Sequence, residues 1–466
     1  MFKLRDYQIE TVNQVRQSMA KGNHTIVVQQ PPRTGKTVIM AEIARKATAK
    51  GNRVLFVVHR KEVVEQAMKT FEQQQVDMNL AQLGMVQTIT RHVDEIPVPQ
   101  VIFVDEGHHS LAQTYTRILD HFPNAFKLLF TATPHRTGRK QLDLIADDIV
   151  TGKSIKWLTE HGNLAPFRYY SIGYIDTKKL KKNSTGDYTA HSMDQAIDHK
   201  IYGNIVNHYQ KLAHGKQAVV YCYSVENALA IAKQFNQHGI SAVEVDAKTP
   251  NEKREAIVED FRQGKIKILT NVNLFTEGID LPNVDCVIMV RPTASLSLYL
   301  QFSMRCLNPR KGKEAIIIDH VANWKTFGLP NAERDWKSEM QTSKKRKSAS
   351  DGVEPCVMCP ECFATFMRSE LIKGCCPECG EKIIKYHPNL TKVDTKLEEI
   401  QQKIKTQKRL SMVHRMIANN TVQAVADKTI GQLKTYQEFV AYAQLHGYRK
   451  QWAYVMYNKI IRKRRV

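Results

Sequence analysis

The stretch TIVVQQPPRTGKTVIMAEIARKAT, at residues 25–48, places a strand pattern, a breaker-rich turn and a helix pattern in direct succession. The β-branched run at 25–29 is typical of a buried strand. After the turn, apolar residues recur at three- and four-residue intervals, and Gly51 ends the periodic segment. A second strand pattern, RVLFVV at 53–58, follows at once. This order predicts a βαβ unit, the building block of a parallel α/β sheet.

The turn of this unit, QQPPRTGKT at 29–37, has the composition of a phosphate-binding loop. The backbone N–H groups expected to cradle phosphate at the helix N-terminus belong to Arg33, Thr34, Gly35, Lys36 and Thr37. Lys36 would reach the terminal phosphates, and the Thr37 hydroxyl would ligate Mg²⁺. The pattern GxxxxGK[ST] is broken at Gln30, where glycine is usual. The loop therefore predicts ATP and Mg²⁺ as ligands, with one irregular position.

Further along the chain, VIFVDEGHH at 101–109 delivers two carboxylates to the end of an apolar strand, where open α/β sheets bind ligands. Asp105 could hold Mg²⁺ through water, and Glu106 could orient or deprotonate an attacking water. A solvated acidic turn is one alternative, and a metal site that uses His108 and His109 is another. Together with the phosphate loop, the acidic pair favours an ATPase.

Strand patterns recur in two series that alternate with helical patterns, which predicts an α/β fold of two tandem P-loop lobes with parallel sheets. The patterns beyond the first unit lie at 101–104, 126–130, 218–222, 240–245, 265–269, 284–290 and 315–319. The expected organisation is a first lobe at 1–150, a connection at 151–200, a second lobe at 201–330, a basic linker with KKRK at 331–355, a cysteine-rich segment at 356–382 and a basic helical region at 383–466.

Seven further segments follow one another along both lobes. They are LRDYQ at 4–8, FVVHRKEVVEQA at 56–67, GMVQTITR at 84–91, TATP at 131–134, YCYSVENA at 221–228, TNVNLFTEGIDLP at 270–282 and QFSMRCLNP at 301–309. Their order resembles that of the superfamily 2 helicases of the DEAD/DEAH-like group, in the phage and prophage branch related to DNA-repair translocases. The resemblance covers about residues 1–325 and implies RecA-like lobes.

In the first lobe, the resemblance implies that Gln8 contacts the adenine edge with support from Arg5. It implies that hydroxyls of Thr131 and Thr133 bond the region of Asp105 and His108 and couple hydrolysis to strand movement. The residues implied to lie near the nucleic-acid backbone are His59, Arg60, Gln87 and Thr88.

In the second lobe, the resemblance implies that Gln301 and Arg305 face the γ-phosphate, where an arginine stabilises transition-state charge. The residues implied to touch ribose or phosphate at the lobe interface are Glu277, Gly278 and Asp280. Three positions depart from the family pattern: Arg33 and Met304 each replace a glycine, and Asn308 replaces a second arginine. Arg310 is a candidate substitute for that arginine, and slow hydrolysis is the alternative.

The segment CPECFATFMRSELIKGCCPECG, residues 359–380, contains two CPEC knuckles with 13 residues between Cys362 and Cys376. Two CxxC pairs at this spacing suit tetrahedral Zn²⁺ bound by four thiolates. The predicted ligands are Cys359, Cys362, Cys376 and Cys379, with Cys356 and Cys375 as spare thiols one position from alternative choices. Four protein ligands close the site, so the metal would be structural, and the segment resembles a zinc ribbon. A grip on DNA and the docking of a partner both stay open as its role.

The chain carries 68 Lys+Arg against 46 Asp+Glu, and its net charge of +22 favours polyanionic partners. Residues 401–466 hold 14 basic and 2 acidic residues, a net +12, with aromatic residues among the bases of RKQWAYVMYNKIIRKRRV. Those aromatics could stack on unpaired bases or pack a small helical core. Neither a secretion signal nor an apolar run near the ~20 residues of a membrane span occurs, so we expect a cytoplasmic protein, in the bacterial host if phage-encoded.

The leading hypothesis is an ATP-dependent DNA helicase or translocase of phage-type replication, recombination or fork remodelling, with a replication protein as a potential partner. An RNA helicase or a restriction-type translocase stays open, because contacts to a phosphate backbone do not identify the sugar. A different class, an ATP-gated clamp or helicase loader with little turnover, is suggested by Gln30, Met304 and Asn308.

Overall fold

The computed structural model describes residues 1–134, 142–172, 177, 180–183, 186–196, 201–272, 274, 281, 283–340, 353–383, 425, 428–446, 448 and 450–460. The chain divides into two compact units, 1–383 and 384–466. The first unit contains two parallel α/β sheets, which confirms the predicted fold class.

The first sheet has six parallel strands in the order β3-β2-β4-β5-β1-β6. They are β1 (Thr25–Gln29), β2 (Val54–Val58), β3 (Ala81–Met85), β4 (Val101–Val104), β5 (Phe126–Thr131) and β6 (Asp148–Thr151). The accompanying helices are α1 (Asp6–Ala20), α2 (Lys36–Thr48), α3 (Lys61–Gln73), α4 (Val86–Arg91), α5 (Gln113–His121) and α6 (Ile155–Glu160). Strands β1, β2 and β4 are buried throughout because helices cover both faces of the sheet.

The second sheet is also parallel, in the order β7-β12-β11-β8-β10-β9. Its strands are β7 (Phe167–Ser171), β8 (Ala218–Tyr221), β9 (Ala242–Val245), β10 (Ile268–Asn271), β11 (Cys286–Met289) and β12 (Ala315–Asp319). Its helices are α7 (Ala190–Ala196), α8 (Ile201–Ala213), α9 (Val225–Gln237), α10 (Asn251–Arg262), α11 (Leu296–Met304) and α12 (Trp324–Phe327). The stretch 151–200, expected to be a connection, thus contributes an edge strand to this sheet.

A buried carboxylate, Asp187, fastens the segment after β7 onto the second lobe. Its Oδ2 accepts a 2.7 Å hydrogen bond from Arg291, and its Oδ1 accepts from the Thr293 hydroxyl at 2.9 Å and from the Ala294 N–H at 2.7 Å. A carboxylate with a guanidinium and two neutral donors is well satisfied despite its burial.

The expected basic linker begins as the short helix α13 (Trp336–Met340), and Met340 packs in the core of the first lobe. The KKRK sequence that follows lies outside the described residues. The cysteine-rich segment then forms two antiparallel strands, β13 (Cys356–Met358) and β14 (Thr365–Met367).

This cysteine-rich segment is joined to the second lobe along the edge of β7. Tyr170 pairs with Ala364, and the Ser171 N–H donates to the carbonyl of Phe363 at 3.0 Å. Ala364 and Phe366 are buried in the same apolar cluster as strands of the second sheet. The segment therefore protects an otherwise open edge, where unpaired strands invite association with other chains.

The second unit contains α14 (Tyr436–Leu445) and α15 (Lys450–Ile460), which pack around Phe439 and Ala453. Trp452 lies partly buried against this core, whereas Tyr454 is 61% exposed. Packing in a small helical core is therefore confirmed for Trp452, whereas stacking of Tyr454 on unpaired bases stays a prediction. The amphipathic repeats expected from 397 to 417 lie outside the described residues. Among the described helices, none has the length and apolar character required to cross a membrane.

Candidate nucleotide site and cysteine centre

The turn between β1 and α2 is held in shape by contacts from α1. Thr34 is central to this support, because its carbonyl accepts hydrogen bonds from the Tyr7 hydroxyl and the Gln8 amide, each at 2.9 Å. Its hydroxyl donates to the carbonyl of Pro31 at 2.7 Å. At Gly35, φ is 78° and an added Cβ would stand 2.6 Å from the Gln8 amide nitrogen, so glycine is required there.

Gln30, the irregular position of the loop, turns its side chain away from the cradle. The side chain is fully buried, and its amide donates to the Thr11 hydroxyl of α1 at 2.9 Å. Opposite it, an added Cβ on Gly152 would lie 2.5 Å from that same amide. Gln30 is therefore accommodated by a glycine on a neighbouring strand end, and the loop keeps its form without a glycine at position 30.

A chain of polar contacts runs from the phosphate loop to the end of β5. Lys36 Nζ lies 3.1 Å from Glu106 Oε1, and His108 Nδ1 lies 3.3 Å from Glu106 Oε2. The same His108 nitrogen is 3.2 Å from the Thr131 hydroxyl, which donates to the Thr133 carbonyl at 3.0 Å. The structure thus connects the loop, Glu106, His108 and Thr131. The Thr133 hydroxyl, which was expected to bond the same region, makes no hydrogen bond within the described part of the chain, and only the Thr133 carbonyl takes part.

The two neighbouring carboxyls experience opposite electrostatic environments. Burial is the largest influence at both sites and raises the pKa of Asp105, with Lys36 opposing it. At Glu106, burial is outweighed by Lys36 and His108, which together hold the pKa well below its usual range. Glu106 is therefore ionised at neutral pH, and Asp105 is a buried carboxyl that a divalent cation would stabilise in its charged form.

Gln301 and Arg305 lie at the end of α11 in the second lobe, and each is less than a tenth exposed. The Arg305 guanidinium hydrogen-bonds the Tyr221 hydroxyl at the end of β8 and opposes the effect of burial, which raises the pKa of Tyr221. Met304 is fully buried in the core of this lobe, so the methionine that replaces glycine fills space behind the site.

The lobes meet beside this arginine. Arg33 of the phosphate loop donates through Nη1 to Asn308 Oδ1. Its φ of 65° is left-handed, a conformation that costs a non-glycine residue about 1–3 kcal/mol. Arg310, the proposed substitute for a second arginine, instead donates to Asp285 of its own lobe and is exposed.

Gln8 and Arg5, the pair predicted to contact adenine, bond to other protein groups in this structure. The Gln8 oxygen accepts from the Arg5 backbone N–H at 2.9 Å, while the Gln8 nitrogen bonds the phosphate loop. The Arg5 guanidinium lies 3.4 Å from Asn163 Oδ1. Their contact with adenine stays a prediction. Glu277, Gly278 and Asp280 lie outside the described residues.

The residues predicted to contact nucleic acid come together at one edge of the first sheet. His59 and Arg60 follow the end of β2, whereas Gln87 and Thr88 lie in the first turn of α4, directly after β3. Because Val58 pairs with Met85, the two segments leave the sheet side by side. Across from them, Arg254 of the second lobe lies 3.9 Å from Glu62.

Four cysteine sulfurs form a compact cluster whose atoms all lie within 4.8 Å of one another: Cys359, Cys362, Cys376 and Cys379. The Sγ atoms of Cys359 and Cys379 are 3.6 Å apart, and those of Cys362 and Cys376 are 3.7 Å apart. A tetrahedron with Zn–S bonds of about 2.3 Å requires sulfur separations of about 3.8 Å. These distances are too long for disulfides and fit a four-thiolate zinc site. Cys356 and Cys375 lie outside the cluster, as predicted.

The chain is similar in sequence to helicases and restriction enzymes over both lobes. The model for "Helicase conserved C-terminal domain" matches residues 200–309, and that for "Type III restriction enzyme, res subunit" matches 1–92 and 84–136. A "51.5 kDa protein" of a Lactococcus phage is 38% identical over 84% of this chain and 82% of its own length. The "Putative ATP-dependent helicase IRC3" of Saccharomyces cerevisiae is 27% identical over 68% of this chain.

The chain spans about half the length of that yeast relative, 51%. Among solved structures, "ATP-dependent Type ISP restriction-modification enzyme LlaBIII bound to DNA" aligns with a TM-score of 0.53 at 14% identity. The alignment covers 97% of this chain and 37% of that one. At this identity the likeness concerns the fold alone.

Proposed function

Because the chain belongs to the superfamily 2 helicases of the phage type and is an ATPase, we propose that it moves along DNA during replication, recombination or fork remodelling. The supporting observation is the contact chain from Lys36 through Glu106 and His108 to Thr131. These contacts link the place where phosphate would bind to the ends of β4 and β5, and β4 is the neighbour of β2 in the sheet. We propose that ATP closes the lobes and that hydrolysis reopens them.

In this proposal, Lys36 and the loop amides bind the phosphates, and Arg305 and Gln301 approach from the second lobe. Glu106, charged at neutral pH, orients the attacking water and accepts its proton. Thr37 and Asp105 would hold Mg²⁺, which would supply positive charge that stabilises the phosphates. His108 passes the change at Glu106 to the threonine segment. The donor set of one hydroxyl and one buried carboxyl suits Mg²⁺, which keeps several of its waters.

We propose DNA and not RNA as the substrate, because a restriction-modification enzyme of similar fold was solved bound to DNA and because the chain is similar to a phage protein. Measuring phosphate release with single-stranded, duplex and forked DNA and with RNA tests this choice. Strongest stimulation by DNA supports the proposal, whereas stimulation by RNA alone favours an RNA helicase. The Lys36→Ala variant is the control, because phosphate release that survives this change does not come from the site.

An ATP-gated clamp or loader is the second candidate, and it rests on Asn308, since an arginine is missing there. The other two residues that suggested a clamp, Gln30 and Met304, give it less support, because both direct their side chains away from the site. A turnover number separates the two functions: sustained multiple turnovers indicate a motor, and a single burst indicates a clamp.

We further propose that the four-cysteine cluster holds structural Zn²⁺, that the protein acts in the cytoplasm of a bacterial host and that a replication protein is a partner. For the zinc ribbon, partner docking fits better than a grip on DNA. Residues 353–383 contain five Asp or Glu residues and three Lys or Arg residues, and a Zn²⁺ site of four thiolates adds further negative charge. An acidic surface repels a phosphate backbone.

A further inference from the structure

Two departures from the family pattern meet in space. Arg33 stands in the phosphate loop where the family has glycine, and Asn308 stands where it has a second arginine. Although 275 positions separate them, Arg33 Nη1 donates to Asn308 Oδ1 and joins the two lobes. We infer that Arg33 supplies the second guanidinium for the terminal phosphate from the first lobe, and that Asn308 orients it. The inference rests on the proposed hydrolysis at this site.

The backbone of the phosphate loop supports the proposal that the second guanidinium comes from Arg33 of the first lobe. Arg33 keeps a φ of 65°, the conformation that glycine adopts freely and that L-residues rarely adopt. The loop has thus kept the shape that a glycine would give while carrying a long cationic side chain. A strained residue at a ligand site is retained where its side chain has a task that offsets the strain.

The surroundings of Arg33 place it near the arginine already assigned to the terminal phosphate. Burial raises the pKa of Tyr221, and the charges of Arg305 and Arg33 both act against that rise. Arg33 also acts on the neighbouring Cys306 thiol, although more weakly than Lys313 does. The Arg33 and Arg305 guanidiniums therefore both lie near the end of β8 in the second lobe, and Lys36 follows Arg33 in the same loop. A phosphate group, with its charge and several acceptor oxygens, suits such a set.

Arg310 cannot fill this role in the observed arrangement. Its guanidinium donates to Asp285 and lies 3.5 Å from Asn283, at the beginning of β11. Asn308 has a short neutral side chain with an acceptor oxygen, which can hold a guanidinium without neutralising it.

The same bond could instead be a latch that holds the lobes in an unproductive state. The variant Asn308→Ala separates the two roles. Loss of an orienting contact lowers kcat for ATP hydrolysis, whereas release of a latch raises it. An increase in kcat would therefore overturn the inference.

The main experiment compares the full-length parent with R33G, N308R and the double variant R33G/N308R at saturating single-stranded DNA. We expect R33G to lower kcat by about tenfold or more, because an arginine at the transferred phosphate acts in the transition state. The double variant returns an arginine to the second lobe and should recover to within about threefold of the parent. N308R alone places two guanidiniums together and should be slower than the parent.

Thermal unfolding provides the readout that a merely structural role would move. Glycine suits the left-handed backbone at this position, so R33G should unfold within about 2 °C of the parent. Full activity of R33G, or a double variant no faster than R33G, contradicts the inference while leaving the proposed function intact. A parent without nucleic-acid-stimulated ATP hydrolysis contradicts both.

Discussion

Glu106, which we propose to orient the attacking water, is held ionised between Lys36 and His108. Its isosteric variant Glu106→Gln keeps the size and an acceptor oxygen but cannot take a proton. We expect ATP hydrolysis to fall by roughly 10²-fold or more, with nucleotide binding retained. Nucleotide binding followed by fluorescence and phosphate release would show this separation. Equal loss of binding and hydrolysis would assign Glu106 to binding alone.

The depressed pKa of Glu106 also predicts a pH profile. A carboxyl with a lowered pKa stays charged as the pH falls below neutral, so the parent should keep the contribution of Glu106 in mildly acid solution. His108→Asn removes one of the groups that lower this pKa, and the acid limb of kcat should move toward neutral pH. An unchanged acid limb in His108→Asn would show that another group controls it.

Glu42 of α2 illustrates a stabilising carboxylate away from the site. Two hydrogen bonds from Arg45, at 2.9 and 2.8 Å, lower the pKa of Glu42 to about 2 against its burial, helped by one from Gln74 at 2.9 Å. A depressed folded pKa gives stability that is complete above the unfolded value and is lost as the pH falls toward 2. Glu42→Gln should therefore reduce the free energy of unfolding by about 1–3 kcal/mol at pH 7 and by less at pH 3.

Denaturant unfolding at the two pH values measures this difference. The variant Glu72→Gln, on the exposed face of α3, is the matched control and should leave stability nearly unchanged at both. An equal loss for Glu42→Gln at pH 7 and pH 3 would mean that packing, and not charge, explains the effect.

At the residue scale, the loop, the acidic pair and the four-cysteine cluster could be proposed from the sequence because each depends on spacing within a short segment, and their roles stay predictions. The positions that depart from the family pattern could not be explained from local spacing. Gln30 is tolerated because Gly152, on another strand end, leaves room for it. Met304 is tolerated because it faces the core. Both explanations depend on neighbours distant in sequence.

At the scale of elements, the cysteine-rich segment, which we propose to be a zinc ribbon, packs as part of the second lobe. We expect about one Zn²⁺ per chain, and Cys376→Ser should lose it because three thiolates leave the tetrahedron open. Cys375→Ser, next in sequence but outside the cluster, is the matched control and should retain the metal. Metal analysis of the purified variants tests both expectations. Retention of zinc by Cys376→Ser would shift the assignment to a spare thiol.

Loss of zinc should also lower the thermal stability of the second lobe, because Ala364 and Phe366 share a core with the second sheet. A single thermal transition, shifted to lower temperature in Cys376→Ser, is the expected result. A separate early transition with the main one unmoved would indicate an independent module. The sequence could not predict this union, because β7 and its pairing with Ala364 follow from contacts between segments that look irregular or separate in the chain.

For the whole molecule, alternating strand and helix patterns were sufficient to predict two tandem lobes, since local periodicity determines each unit. How the lobes meet was not predictable. The pairs Arg33–Asn308 and Arg254–Glu62 join residues far apart in sequence, and their side chains show no pattern until the sheets place them. Catalysis that needs both lobes therefore depends on contacts that only the folded chain reveals.

The uneven charge of the whole chain gives the last prediction. Removing residues 401–466 takes away a net +12 and should weaken DNA binding and flatten its dependence on salt, because fewer counterions are released. A finer test neutralises two cations in Arg464→Gln/Arg465→Gln. Its log–log salt slope for single-stranded DNA should be smaller in magnitude by about 1.4 if both contact phosphate.

The matched control is Lys21→Gln/Lys50→Gln, which removes two exposed charges just before β1 and β2. Those positions lie at the amino ends of the strands, whereas His59 and Gln87 follow the carboxyl ends, so the control should leave the slope unchanged. If the parent and the protein that lacks residues 401–466 had the same salt slope, the basic tail would not contact DNA. The attraction of DNA would then rest on the remaining net charge of +10 (22 − 12) in residues 1–400, which acts over a distance that salt readily screens.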